Sequence, residues 1–114
     1  MTEYLHTKLV DTLKAHGINP ALSEDEIDSY PYVTFELPVE YRYTKDGQYK
    51  IVGNLTIRSV SDDFDQADTI RAGIEAAIGE GFTAPYSARL TDVRKDCMDG
   101  VWVIELDYIL NQYE

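Results

Sequence analysis

Two runs of alternating apolar and polar residues constrain the fold of this chain more than any other feature. The odd positions are apolar from Tyr32 to Tyr43, and again from Tyr49 to Ile57. A period of two is typical of a strand with one buried face. The two runs flank Lys45-Asp46-Gly47, which carries the residues of a tight turn. The sequence therefore predicts an antiparallel pair of strands joined at this turn.

The register of this hairpin follows from the rule that directly opposed residues share a face. A two-residue Asp46-Gly47 turn would oppose odd and even positions, whereas a three-residue loop, Lys45-Asp46-Gly47, opposes apolar residues. The predicted pairs are Tyr43 with Tyr49, Tyr41 with Ile51, Leu37 with Leu55, and Phe35 with Ile57. Pro38 cannot donate a hydrogen bond to a neighbouring strand, so its strand is predicted to lie at a sheet edge or to carry a bulge there.

A second hairpin is predicted near the C-terminal end of the sequence. A two-residue Asp99-Gly100 turn sets Val93 opposite Leu106 and Arg94 opposite Glu105, a favourable charge pair. The same register sets Cys97 beside Trp102, where we expect the thiol to be shielded. Trp102, Ile104, Leu106, Tyr108 and Leu110 share the apolar face of the last strand.

Helical spacing of apolar residues predicts two helices. The first covers Glu3–His16 and stops at Gly17 and Pro20, and the second covers Asp63–Ile78, with Asp62 as its N-cap and Gly79 or Gly81 at its end. An acidic stretch, Ser23–Ser29, reads as a surface loop. The predicted fold is a single α+β domain over residues 1–114, with two helices packed on an antiparallel four-stranded sheet in the order α-β-β-α-β-β.

The charge balance excludes several kinds of partner. The net charge is -11, with 21 acidic against 10 basic residues, which argues against sequence-specific binding to nucleic acid. No stretch approaches the roughly 18 apolar residues that a membrane span needs. The single cysteine, Cys97, has no partner within the chain for a disulfide, which favours a reducing compartment.

Motifs that would carry catalysis are absent from the sequence. It contains no nucleophile elbow, phosphate loop, dinucleotide fingerprint or Cys-x-x-Cys pair. Asp62, Asp63, Asp65 and Asp68 invite interpretation as a calcium site, but helix capping and solvation explain them better. Glu105 and Asp107 share a strand face and suggest an acid–base pair, although solvated strand carboxylates are commoner. We expect no enzyme, no metal and no cofactor.

Protein contact is the remaining interpretation for the tyrosines near the first turn. Five of the nine tyrosines fall between Tyr30 and Tyr49, and tyrosine suits half-buried strands and interfaces alike. The turn also carries a group of basic residues, Arg42, Lys45 and Lys50, in an acidic chain. The predicted contact residues are Tyr41, Arg42, Tyr43, Lys45, Tyr49 and Lys50, whose charge is complementary to that of a second predicted contact group, Asp62, Asp63 and Asp65.

The order of the segments resembles that of a known protein family. A short helix ending in Leu13-Lys14-Ala15-His16 precedes Tyr30-Pro31-Tyr32-Val33-Thr34-Phe35; then come a hairpin, the strand Asn54–Ser59, and an alanine-rich helix through Ala67–Ile74. This pattern is similar to that of the tail-terminator or tail-completion proteins of long-tailed bacteriophages and related minor tail proteins.

The resemblance implies a structural role in the virion tail. Such proteins form homo-oligomeric rings, usually hexamers, that cap the tail tube and contact the head–tail connector, after assembly in the cytoplasm of the bacterial host. An acidic channel wall would also let DNA pass without binding it. The same acidity suits a rival interpretation, a small DNA-mimic inhibitor that binds a host nuclease or DNA-binding protein.

Overall fold

The computed structural model describes residues 3–21, 29–43 and 49–113, which form two helices and five strands. In chain order these are α1 (Glu3–Ala15), β1 (Tyr32–Glu36), β2 (Val39–Tyr43), β3 (Tyr49–Ser61), α2 (Phe64–Gly81), β4 (Tyr86–Met98) and β5 (Val101–Tyr113). The strands make one antiparallel sheet in the order β1-β3-β5-β4, with β2 also paired to β3. The α+β class is confirmed. The predicted four strands and their order are wrong, because the first predicted strand is two strands.

That first strand is interrupted at Leu37 and Pro38. Proline has no N–H for the ladder, but its carbonyl accepts a hydrogen bond from the Asn54 N–H at 3.0 Å. The register is the same on both sides of the break, with Glu36 opposite Thr56 and Val39 opposite Gly53. Within the described sheet, β1 and β2 pair with β3 only, which confirms the predicted edge position.

The predicted register of the first hairpin is confirmed at three of its four pairs. Tyr43 lies opposite Tyr49, Tyr41 opposite Ile51, and Phe35 opposite Ile57. Leu37 lies in the break and makes no ladder pair with Leu55. The Lys45-Asp46-Gly47 loop falls outside the described residues, as do the carboxylates of the predicted acidic loop.

The second hairpin matches the predicted register from its turn to Asp92. Cys97 lies opposite Trp102, Val93 opposite Leu106, and Arg94 opposite Glu105. Asp99 and Gly100 have φ angles of 53° and 79°, and positive φ at both central positions is what a type I′ hairpin turn requires. One irregularity interrupts this long pair, a bulge between Leu90 and Asp92.

Both helices pack on one face of the sheet, here called the inner face; the opposite face is the outer face. The helices contribute Leu5, Leu9, Leu13, Ile74, Ala77 and Ile78 to the core, and the two central strands contribute Leu55, Ile57, Leu106, Tyr108 and Leu110. The apolar face predicted for the last strand is therefore confirmed. No helix in the described part of the chain is long and apolar enough to cross a membrane.

The ends of the helices differ slightly from the prediction. Asp63, not Asp62, is the N-cap of α2, and its carboxylate accepts a hydrogen bond from the Asp65 N–H at 3.0 Å. Ser61 Oγ accepts from the Asp63 N–H at 3.1 Å, which leaves Asp62 in the turn before the cap. The helix α1 stops before Gly17, whose φ of 78° suits a helix end.

Candidate assembly surfaces

The first candidate surface is the tyrosine tip, defined as Tyr41, Arg42, Tyr43, Tyr49 and Lys50. Tyr41 is 40% exposed and Tyr43 is 76% exposed. The Arg42 guanidinium forms an ion pair with Glu40, and Lys50 Nζ lies 5.7 Å from the centre of the Tyr113 ring. Lys45 and the side chain of Tyr49 lie outside the described structure, although the Tyr49 backbone pairs with Tyr43. The described part of the tip is thus aromatic, with Arg42 paired to a carboxylate and Lys50 set against an aromatic ring.

The second candidate surface is the acidic segment, Asp62, Asp63 and Asp65. All three residues are exposed. Asp68, one turn further along α2, bonds Arg71 at 2.8 Å and Lys95 at 3.3 Å. The hydrogen bond from Arg71 lowers the pKa of Asp68. The described residues contain no group of three or more His, Cys, Asp or Glu suited to hold a metal ion.

The tyrosine tip and the acidic segment lie at opposite ends of the same strand. The thirteen residues of β3 connect Tyr49 to Ser61, and Asp62 follows directly. At about 3.3 Å per residue the two surfaces are about 40 Å apart. They cannot meet within one chain, so the predicted contact between them requires a second subunit.

A charge ladder crosses the outer face, formed by Glu36, Arg58, Glu105, Arg94 and Asp107. Arg58 bonds Glu105 at 2.6 Å and lies 3.5 Å from Glu36. Arg94 pairs with Glu105 on the neighbouring strand and with Asp107 at 2.9 Å. Positive and negative side chains thus alternate across β1, β3, β5 and β4.

The charge ladder does not have the electrostatics of an acid–base pair. Hydrogen bonds from Arg94 and then Arg58 lower the pKa of Glu105. A general acid at neutral pH needs the opposite shift. The Arg94–Glu105 pair was predictable from the hairpin register, but Arg58 and Glu36 were not, because their position depends on which strand lies beside β3.

A third surface, β4, was not predicted as a functional element. Every residue from Arg89 to Met98 is exposed, and Met98 is 70% exposed. The dense charges of this strand were the available signal, because edge strands often carry them. Cys97 is exposed, so its predicted shielding is wrong. Trp102 lies opposite it in the ladder but packs edge-on against Phe64, with ring centres 4.8 Å apart.

A shallow cavity of about 270 Å³ lies where the end of α1 meets β1 and α2. Ile18, Tyr32, Val33 and Ile70 contribute to its wall, together with Gly17, Asn19 and Pro31. No acidic or basic side chain lines it. The cavity therefore presents an uncharged recess.

Comparison with known proteins gives a structural match only. No protein-family model matches the chain, and no curated protein matches it either. Among solved structures, the fold is similar to that of a chain from the virion of a native gene transfer agent (GTA) particle, with a TM-score of 0.55 and 16% sequence identity. The match covers 93% of this chain and 84% of that chain. At this identity the likeness establishes a shared fold.

Proposed function

We propose that this chain is a structural virion protein that forms a ring at the end of a tail tube and joins the tail to the head. It acts by protein contact, without catalysis or cofactor. The tail tube protein and the head–tail connector are its partners besides itself. Its location is the virion tail, after assembly in the host cytoplasm.

The observation that carries the proposal is the position of the tyrosine tip and the acidic segment at the two ends of β3. A cyclic ring needs two unlike surfaces on each subunit, so that one end of a subunit meets the other end of its neighbour. The two surfaces differ in chemistry, one aromatic with Arg42 and Lys50, the other carrying Asp62, Asp63 and Asp65. Because the length of β3 separates them, the two surfaces of one chain cannot contact each other.

Two further observations support a role in a virion. The match to a chain of the gene transfer agent particle extends over most of both chains, so the fold is one that a virion particle contains. The net charge of -11 also suits the wall of a channel that DNA must pass without binding.

The outer face gives little support to the rival function, DNA mimicry. A mimic presents closely spaced carboxylates that replace phosphates. On the outer face Glu36, Glu105 and Asp107 are instead paired with Arg58 or Arg94. A pull-down from host lysate separates the two functions, since a mimic retains nucleases or DNA-binding proteins and a ring subunit retains tail components.

The test of the proposed function is a paired substitution of the tip, Tyr41→Ser with Tyr43→Ser. We expect the variant to fold, as judged by its circular dichroism and urea midpoint, and to lose ring formation or tail capping in electron micrographs. Tyr30→Ser is the matched control, because Tyr30 is 44% exposed but lies outside the tip. Normal rings in the folded double variant would eliminate the tip as a contact. Failure of the wild-type protein to associate with any tail component would eliminate the proposed function.

The acidic segment has its own variant. Asp62→Asn with Asp65→Asn removes two charges and leaves the Asp63 cap in place. We expect the same loss of rings, with a weaker dependence on salt in whatever assembly remains. Asp11→Asn, at an exposed position of α1, is the control for a loss of negative charge elsewhere.

A further inference from the structure

The strand β4 presents a long edge with no partner among the described residues. It is thirteen residues long, and only β5 pairs with it in the described sheet. An edge of this length exposes a row of backbone N–H and C=O groups that can pair with another strand. On its inner face Leu90 and Val93 are 37% and 38% exposed, because the helices cover little of this edge. The edge therefore offers both backbone groups and apolar side chains.

The opposite edge of the sheet, formed by β1 and β2, has the complementary direction. The Val33 carbonyl already accepts a hydrogen bond from the Ala21 N–H at 2.7 Å, so the part of this edge offered to a second copy begins at Thr34. Each neighbouring pair in the order β1-β3-β5-β4 is antiparallel, so β4 runs antiparallel to β1 and β2. A second copy placed beside the first, with its helices on the same side, would bring its β1 and β2 against β4 in an antiparallel sense. The two sheets would then continue as one.

We propose that β4 pairs with β1 and β2 of a second copy of this chain. The inference rests on the proposed ring. Copies joined edge to edge carry their tyrosine tips at one end of the strands and their acidic segments at the other, so this contact is an alternative to the one between the tip and the acidic segment. Such a contact joins unlike edges, and repetition of it closes into a ring when the rotation between copies allows. Backbone hydrogen bonds supply the affinity in this mode, and side chains set the register.

Charge selects one register for this contact. Glu36, Thr56, Asp107 and Asp92 form one row of cross-strand neighbours. If such rows continue without a shift into the second copy, Asp92 lies opposite Glu36 of that copy, a repulsive pair. A shift of two residues instead sets Arg94 opposite Glu36 and Arg89 opposite Glu40 of the second copy. A shift of two residues in the other direction leaves a single such pair, Arg89 with Glu36. The register with two opposite-charge pairs is favoured, and because Glu36, Glu40 and Arg94 already form ion pairs within the chain, the new contacts would extend existing networks.

The same register also matches the inner faces and the irregularities of both edges. Val93 lies opposite Leu37, and Leu90 opposite Val39, of the second copy. Pro38 then falls beside the bulge between Leu90 and Asp92.

A disulfide trap tests the register directly. In this register Asp96 lies opposite Thr34 of the second copy, both on the outer face, at a spacing that a disulfide can bridge. Asp96→Cys with Thr34→Cys, in a Cys97→Ser background, should form intersubunit disulfides on oxidation at high protein concentration. The products should form a series that ends at one size, since a closed ring has no free edge.

Two controls make the trap specific. Asp96→Cys with Arg42→Cys is mismatched by eight residues, or about 26 Å, and should cross-link at least tenfold more slowly. Asp96→Cys alone should not dimerise. Equal rates in the matched and mismatched pairs, or efficient dimers of the single variant, would overturn the proposal, and the latter would indicate two copies of β4 paired with each other.

Failure of the edge contact is distinguishable from failure of the ring. Rings in electron micrographs without the matched cross-link would overturn the pairing of β4 and leave the proposed function in place. Absence of both rings and cross-links, with or without tail tubes, would overturn both.

A charge exchange gives a second, independent readout. Arg89→Glu and Glu40→Arg should each weaken association, measured by sedimentation, about fivefold, and the double variant should recover most of the loss. Lys14→Glu makes the same net change as Arg89→Glu at an exposed position of α1 and should leave association unchanged. A double variant as weak as the single ones would overturn the register.

Discussion

The two strands of the last hairpin are equal in length and paired along it, yet they bury very different amounts of side chain. On β5 Ile104, Leu106 and Leu110 are fully buried, whereas Val93, directly opposite Leu106, is 38% exposed. The difference arises because α1 and α2 pack over β3 and β5, whereas among the described residues β4 contributes to the core only the partly buried Tyr86 and Ala88 at its start. The contrast teaches that β5 holds the fold together, while β4 is available for contact with another chain.

The sharpest test of this contrast is truncation of two opposed residues. Leu106→Ala should lower the free energy of unfolding by about 2–5 kcal/mol, because it removes buried contacts and leaves a cavity. Val93→Ala should cost about 1 kcal/mol or less, because its side chain is already partly in water. Urea denaturation measures both values. Similar losses in the two variants would show that β4 is as important to the core as β5.

Close packing at the centre of the sheet gives the next effect. A Cβ on Gly53 would lie 2.7 Å from the side chains of both Leu5 and Leu37. Gly53→Ala should therefore destabilise the protein by about 1–3 kcal/mol through overpacking. Gly79→Ala is the matched control, because nothing lies within 4 Å of its added Cβ and alanine favours a helix, so it should gain about 0.5–1 kcal/mol. Equal effects of the two changes would contradict the tight approach of α1 to β3.

The same contrast explains which features could be predicted from the sequence. Both hairpin registers follow from local alternation and turn residues, and the predicted pairs that lie in the described ladder are correct. The bulge between Leu90 and Asp92, which shifts the rest of the β4–β5 register by one residue, was not predicted. The pairing of β3 with β5 joins segments about fifty residues apart, so no local pattern indicates that Arg58 meets Glu105. The exposure of Cys97 depends on how far α2 extends over the sheet, which a strand pattern does not record.

Acid should weaken the charge ladder before it affects the buried core. The folded-state pKa of Glu105 is lowered, so its contribution is present above the ordinary pKa of about 4.3 and is lost as pH falls through the folded value. Glu105→Gln should cost about 1 kcal/mol at pH 7. The gap between wild type and variant, measured by urea midpoints, should narrow as the pH is lowered towards 3. A difference in stability that does not change with pH would contradict the assignment of this contribution to the ionised Glu105 carboxylate.

Arg94→Gln provides the matched partner variant for this test. Because Arg94 and Glu105 act on each other, the double variant should lose less than the sum of the two single losses. Strict additivity would show that the two strands of the hairpin are not coupled through this pair.

The smallest predicted effect concerns the contact between the two helices, and its pH dependence is opposite to that of the charge ladder. At the junction of the two helices, His16 Nε2 lies 2.9 Å from a carboxylate oxygen of Glu80, and Nδ1 lies 3.1 Å from the Thr12 carbonyl. Only the protonated imidazole donates at both nitrogens, and the hydrogen bond to Glu80 is the main cause of the raised pKa of His16.

A raised folded-state pKa contributes stability that is complete below the unfolded value of about 6.5 and is lost as pH rises through the folded value. Thermal midpoints of wild type and Glu80→Gln should therefore differ slightly at pH 5.5 and converge by pH 8.5. A difference that grows with pH would refute the pair. The stabilising contact between the helices should thus be lost as the pH rises, and that between β4 and β5 as the pH falls. Stability measured against pH therefore distinguishes the two regions in the unassembled protein.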